Sequence, residues 1–118
     1  MSEGFSYTTE ADLRATVVQM ALLTGWMVYS TPDSRKVWPR STAVGFPDLI
    51  LLKDGVLLFI ELKTEAGKLT ITQQNWQAEL SKVQRVQTWV WRPSDLEKVG
   101  AILGMGKEDA GAYHSGSS

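Results

Sequence analysis

The stretch Asp48-Leu49-Ile50-Leu51-Leu52-Lys53-Asp54-Gly55-Val56-Leu57-Leu58-Phe59-Ile60-Glu61-Leu62-Lys63 decides the fold. Asp-Gly between two apolar runs is a strong signal for a two-residue β-hairpin, because both turn residues tolerate positive φ. The turn then sets the register. Lys53 pairs with Val56, Leu52 with Leu57, Leu51 with Leu58, Ile50 with Phe59 and Leu49 with Ile60. The next pair is Asp48 with Glu61, and directly opposed residues have Cβ atoms roughly 4.5–5.5 Å apart. Lys63 lies two residues on, so it shares the face of Glu61. Neither run alternates with polar residues, which predicts burial on two sides at the centre of a sheet.

Working outward, Thr9-Glu10-Ala11-Asp12 reads as a capping box with Asp12 in the acidic position. A helix follows to about Thr24, with Leu13, Val17, Met20 and Ala21 as its apolar stripe and Gly25 as its stop. Trp26 to Tyr29 reads as a short strand. Ser30 to Phe46 is a long loop holding Pro32, Pro39 and Gly45, and Pro47 marks the entry to the hairpin. After a second loop, Thr64 to Thr70, the spacing predicts a helix over Ile71 to Val83 with Trp76, Leu80 and Val83 inward and Gln73 on the same side. Thr88 to Arg92 reads as a strand, and Pro93-Ser94-Asp95 opens a last helix to about Leu103. The expectation is one α/β domain over 1–103 in the order αβββαβα. Residues 104–118, rich in Gly and Ser, read as a flexible tail that holds the sole histidine, His114.

A chain of 118 residues with 43% hydrophobic residues is long enough for one core without staples. There is no cysteine, which excludes a disulfide scaffold and a zinc-thiolate site. No apolar run reaches the roughly 18 residues of a membrane span, and the N-terminus lacks a signal pattern. A cytoplasmic protein is expected, with no membrane and no organic cofactor. The net charge of −1 argues against a protein that coats long nucleic acid. The charge is uneven, however: Arg35, Lys36 and Arg40 fall in a stretch without acids, Ser34 to Pro47.

The chemistry follows from the opposed acids. Like charges in opposed, partly buried positions destabilise a hairpin. A divalent cation between them removes the repulsion, and Mg²⁺ takes carboxylate oxygens while keeping several waters. Asp48, Glu61 and the backbone carbonyl of Leu62 are candidate metal ligands. Lys63 beside them could hold an attacking water or offset charge on a phosphorane. The plainer alternative makes Asp48 a strand cap and Glu61–Lys63 a surface pair. Glu10 shares helical spacing with Leu13 and Val17, which makes it a further candidate ligand. It is also explained as a first-turn acid favoured by the helix dipole, or as an i,i+4 partner of Arg14. Gln73 is either a group that orients water or phosphate, or a polar residue on a helix edge.

Taken together, Gly45-Phe46-Pro47-Asp48-Leu49, Glu61-Leu62-Lys63-Thr64, Gly67-Lys68-Leu69-Thr70 and Gln73-x-x-Trp76 resemble the VRR-NUC family of PD-(D/E)xK nucleases. Asp33-Ser34-Arg35 also fits, and the resemblance extends from the first helix to Leu103. It departs from the family's pattern at Ile71-Thr72, where a proline and an acid are common. The resemblance implies a restriction-endonuclease-like fold, an αβββαβ core whose mixed central sheet is flanked by helices. It implies Mg²⁺ or Mn²⁺ on Asp48 and Glu61, Lys63 as catalytic lysine, Glu10 as the first-helix acid and Gln73 as the helix glutamine. Stand-alone members are similar to Holliday junction resolvases, often phage-encoded and homodimeric, which would act in the host cytoplasm.

These expectations combine into a metal-dependent, structure-specific DNA endonuclease acting on branched DNA such as a four-way junction. Arg35, Lys36, Arg40 and Lys68 are its candidate phosphate contacts, though a solvated charged loop explains each of them singly. Trp38 is a candidate to stack at a branch point, or it covers a core edge. One alternative is a nuclease-fold DNA-binding module, or a subunit that needs a partner for activity. Another is a small-molecule hydrolase using two carboxylates as acid and base.

Overall fold

The computed structural model describes residues 9–32 and 44–105. Helix α1 (Glu10–Leu23) is followed by strands β1 (Met27–Ser30), β2 (Leu49–Lys53) and β3 (Val56–Leu62). Helix α2 (Ile71–Leu80), strand β4 (Val86–Trp91), a 3₁₀ turn (Pro93–Asp95) and helix α3 (Leu96–Leu103) complete the order. The four strands form one sheet in the order β1-β2-β3-β4. β1–β2 and β2–β3 are antiparallel and β3–β4 is parallel, so the protein is α/β with a mixed sheet.

The hairpin forms as its turn requires. Asp54 and Gly55 take φ of +51° and +80°, the two positive values of a type I′ turn. All five pairs from Lys53↔Val56 to Leu49↔Ile60 keep the expected register. The ladder then stops one pair short of Asp48↔Glu61. The Asp48 N–H donates to the Ile60 carbonyl at 2.8 Å, although Ile60 is already the partner of Leu49. Two residues of one strand, Asp48 and Leu49, thus face Ile60 of the other, which is a β-bulge.

One face of the sheet carries the core. Leu49, Leu51, Leu58, Ile60, Leu62 and Trp91 point to it and pack with Leu13, Val17 and Ala21 of α1 and with Val99 and Leu103 of α3. The α1 capping box closes as the sequence predicts, with the Thr9 hydroxyl accepting from the Asp12 N–H and the Asp12 carboxylate accepting from the Thr9 N–H. Gly25 takes φ +91° where the chain leaves the helix.

The opposite face holds Ile50, Leu52, Leu57, Phe59 and Glu61, and it is covered unevenly. Burial of both strands on two sides is therefore corrected: Leu52, on this face near the turn, is 41% exposed. Phe59 lies edge-on to Phe46 (6.0 Å between centroids), and Phe46 edge-on to Trp76 of α2 (4.9 Å), so α2 covers the other end. α2 stops at Leu80, short of the expected Val83, which is 49% exposed beyond the helix. An apolar residue at helical spacing outlasted the helix itself. No helix among the described residues is long and apolar enough to cross a membrane.

Candidate active site

The site lies where the hairpin ladder ends. The register would next place Pro47 opposite Leu62, but proline has no N–H to give to the Leu62 carbonyl. The Pro47 and Asp48 carbonyls turn instead to Thr31, whose hydroxyl and N–H respectively donate to them at 3.0 and 2.9 Å. Asp48 then fills the gap from its side chain: its Oδ2 accepts the Leu62 N–H at 2.8 Å. The bulge thus turns the Asp48 carboxylate toward the end of β3, where Glu61 sits.

Glu61 is 2% and Lys63 9% exposed, the two buried charged residues among those described. Burial, first, and then the Asp48 charge push the Glu61 carboxyl from its ordinary 4.5 up to about 8, with smaller upward contributions from a hydrogen bond to Asp48 and from Glu10, while Lys63 opposes them. Asp48 thus lies close enough for its charge to act on Glu61 at the end of the hairpin, where a bulge stands in place of the expected ladder pair. The Gln73 amide donates to Glu61 Oε2 at 2.9 Å, while its own Oε1 accepts the Thr70 N–H and closes the capping box of α2.

The segments named by the sequence pattern pack against one another. Gly45 has φ +85°, and a Cβ there would stand 2.7 Å from Thr72 backbone, so only glycine lets the loop touch the start of α2. Trp76, one turn after Gln73, donates from its indole to the Val44 carbonyl at 3.1 Å. Arg92 holds the loop after Lys63, donating to the carbonyls of Thr64 and Gly67 at 2.6 Å each.

Glu10 shares the spacing of Leu13 and Val17 but not their burial. It is exposed, because the buried stripe of α1 begins one turn later at Leu13. No group of three or more His, Cys, Asp or Glu comes together among the described residues, and the Glu10 charge adds a small upward push on Glu61. Lys68 is exposed on the loop beside the site. Arg35, Lys36, Trp38, Arg40 and the tail with His114 lie outside the described residues.

Arg14 is the residue that sequence reasoning missed. It does not turn to Glu10 as an i,i+4 partner. Its Nη2 donates to Asp48 Oδ1 at 3.1 Å and its Nη1 to the Ser30 hydroxyl at 2.7 Å and the Asp48 carbonyl at 3.3 Å. An apolar cleft of about 190 Å³ beside Trp26, Leu58 and Ile102 lies at the turn end of the hairpin, away from the carboxylates. Compared with protein-family models, with curated proteins and with solved structures, the chain matches none.

Proposed function

We propose that this protein is a metal-dependent DNA endonuclease of the PD-(D/E)xK type, similar to the VRR-NUC nucleases, with a restriction-endonuclease-like fold. The observation that carries the reading is a buried Glu61 that feels the charge of Asp48, with buried Lys63 two residues on. A carboxyl driven to hold its proton by burial and then by a neighbouring carboxylate is a poor arrangement for stability alone. It fits a hard divalent cation, since the oxygens of Asp48, Glu61 and the Leu62 carbonyl are the donors such an ion takes. Mg²⁺ or Mn²⁺ held there would supply Lewis-acid polarisation of the phosphate and an activated water. Lys63 is close enough to act on Glu61 electrostatically, and its ammonium would steady the attacking water or the charge on the phosphorane. Gln73 fixes Glu61 by one oxygen and leaves the other to the site. The substrate favoured is branched DNA, such as a four-way junction, cut by a homodimer, with Lys68 and the basic stretch at Arg35, Lys36 and Arg40 on its phosphates.

The test is incubation with Mg²⁺ or Mn²⁺ and labelled four-way junction, flap, duplex and single-stranded DNA. Symmetric nicks in the junction are expected. They should be lost with EDTA and reduced by roughly 10²–10³-fold in Lys63→Ala, the usual effect of removing one transition-state donor. Cutting of the other DNAs alone would keep the nuclease and discard the junction. No metal-dependent cutting of any DNA would favour a binding module or a partner-dependent subunit.

A further inference from the structure

We propose that Arg14 is a positioning residue that couples cation binding to DNA binding, holding Asp48 Oδ1 until a DNA phosphate takes its guanidinium. The inference rests on the nuclease reading of the site. Asp48 has two carboxylate oxygens with different partners. Oδ2 is fixed by the Leu62 N–H of the sheet. Oδ1 is therefore the oxygen left for a cation, and it is the one that Arg14 holds at 3.1 Å. A cation on Oδ1 and a guanidinium on the same atom repel each other, so each weakens the other's hold on Asp48.

Arg14 is built to stay close after it lets go. Its Nη1 keeps the Ser30 hydroxyl and the Asp48 carbonyl, neither of which a cation on Oδ1 removes. Its side chain is 33% exposed and that of Asp48 21%, so the pair opens to solvent rather than to the core. A displaced Nη2 is left with an unused donor beside the cation, and a phosphate oxygen satisfies both. DNA thereby removes the competitor for Asp48, and the cation frees the arginine for DNA. By linkage each must raise the affinity for the other by the same factor.

The experiment measures Mn²⁺ binding by calorimetry for the full chain, alone and with four-way-junction DNA, and junction binding by anisotropy in Ca²⁺ across a salt series. In the wild type DNA should tighten Mn²⁺ binding. Arg14→Gln should bind Mn²⁺ roughly fivefold more tightly without DNA, since an ion pair of this exposure is worth up to about 1 kcal/mol. It should lose the DNA-induced gain, and the slope of log affinity against log salt should fall by about 1. Arg14→Lys retains the charge and should keep the wild-type salt slope. A variant merely damaged in folding would bind the cation more weakly, not more tightly. Weaker or unchanged Mn²⁺ binding in Arg14→Gln overturns the coupling while leaving the metal site intact. Wild-type Mn²⁺ binding that is absent, or that survives in Glu61→Gln, overturns the nuclease site and this inference with it.

Discussion

Glu61 carries the electrostatic strain of the molecule, and its sign is definite. In the folded protein the carboxyl keeps its proton up to about pH 8, whereas an unfolded chain gives it up near 4.5. Between these values the folded state binds more protons, so the contribution of Glu61 to stability is complete below pH 4.5 and is lost as pH rises through 8. Glu61→Gln mimics the neutral form and can still accept from Gln73. Urea titrations in EDTA should therefore show the wild type losing stability relative to Glu61→Gln between pH 5 and 8.5. Parallel curves would mean that Glu61 is ionised in the fold throughout. That Asp48 and Glu61 lie near one end of the hairpin was legible in the sequence, because a two-residue turn fixes the register as far as Leu49↔Ile60. Arg14 was not. It lies 34 residues from Asp48 and only four from Glu10, an obvious local partner. Only the packing of α1 beside the hairpin's open end selects Asp48.

At the scale of elements, the loop into β2 and the start of α2 form one joint. Gly45 rests on Thr72, Phe46 lies between Phe59 and Trp76, and Trp76 returns a hydrogen bond to Val44. Gly45→Ala should destabilise the protein by roughly 2–4 kcal/mol, adding the penalty of a left-handed non-glycine residue to that of overpacking. Chemical denaturation measures it, and a change within 0.5 kcal/mol would show that the joint yields freely. The sequence announced these residues as a set but not their contacts. It also gave no sign of the bulge at Asp48, since a turn dictates register only until a residue without an N–H interrupts the ladder. The end of α2 was also misplaced: Val83 matches the apolar spacing, but it stands 49% exposed, so no burial favours a further turn.

Over the whole molecule, the core occupies one face of the sheet, and the site sits at one end of the other, next to α2. The α/β class was readable from the alternation of element types. The uneven cover of the second face was not, because apolar residues such as Leu52 do not say what lies over them. Two symmetric cuts in a junction require two such sites related by a two-fold axis. Light scattering at high concentration should accordingly give about twice the 13.1 kDa of the chain. A monomer throughout the concentration range would remove the symmetric-cut scheme. The hairpin, finally, separates its two ends by function. An added Cβ at Gly55 would meet nothing within 4 Å, and the turn lies six residues from Asp48, roughly 20 Å along a strand. A reporter peptide or surface tether spliced between Asp54 and Gly55 would thus give the protein a handle that leaves the chemistry undisturbed.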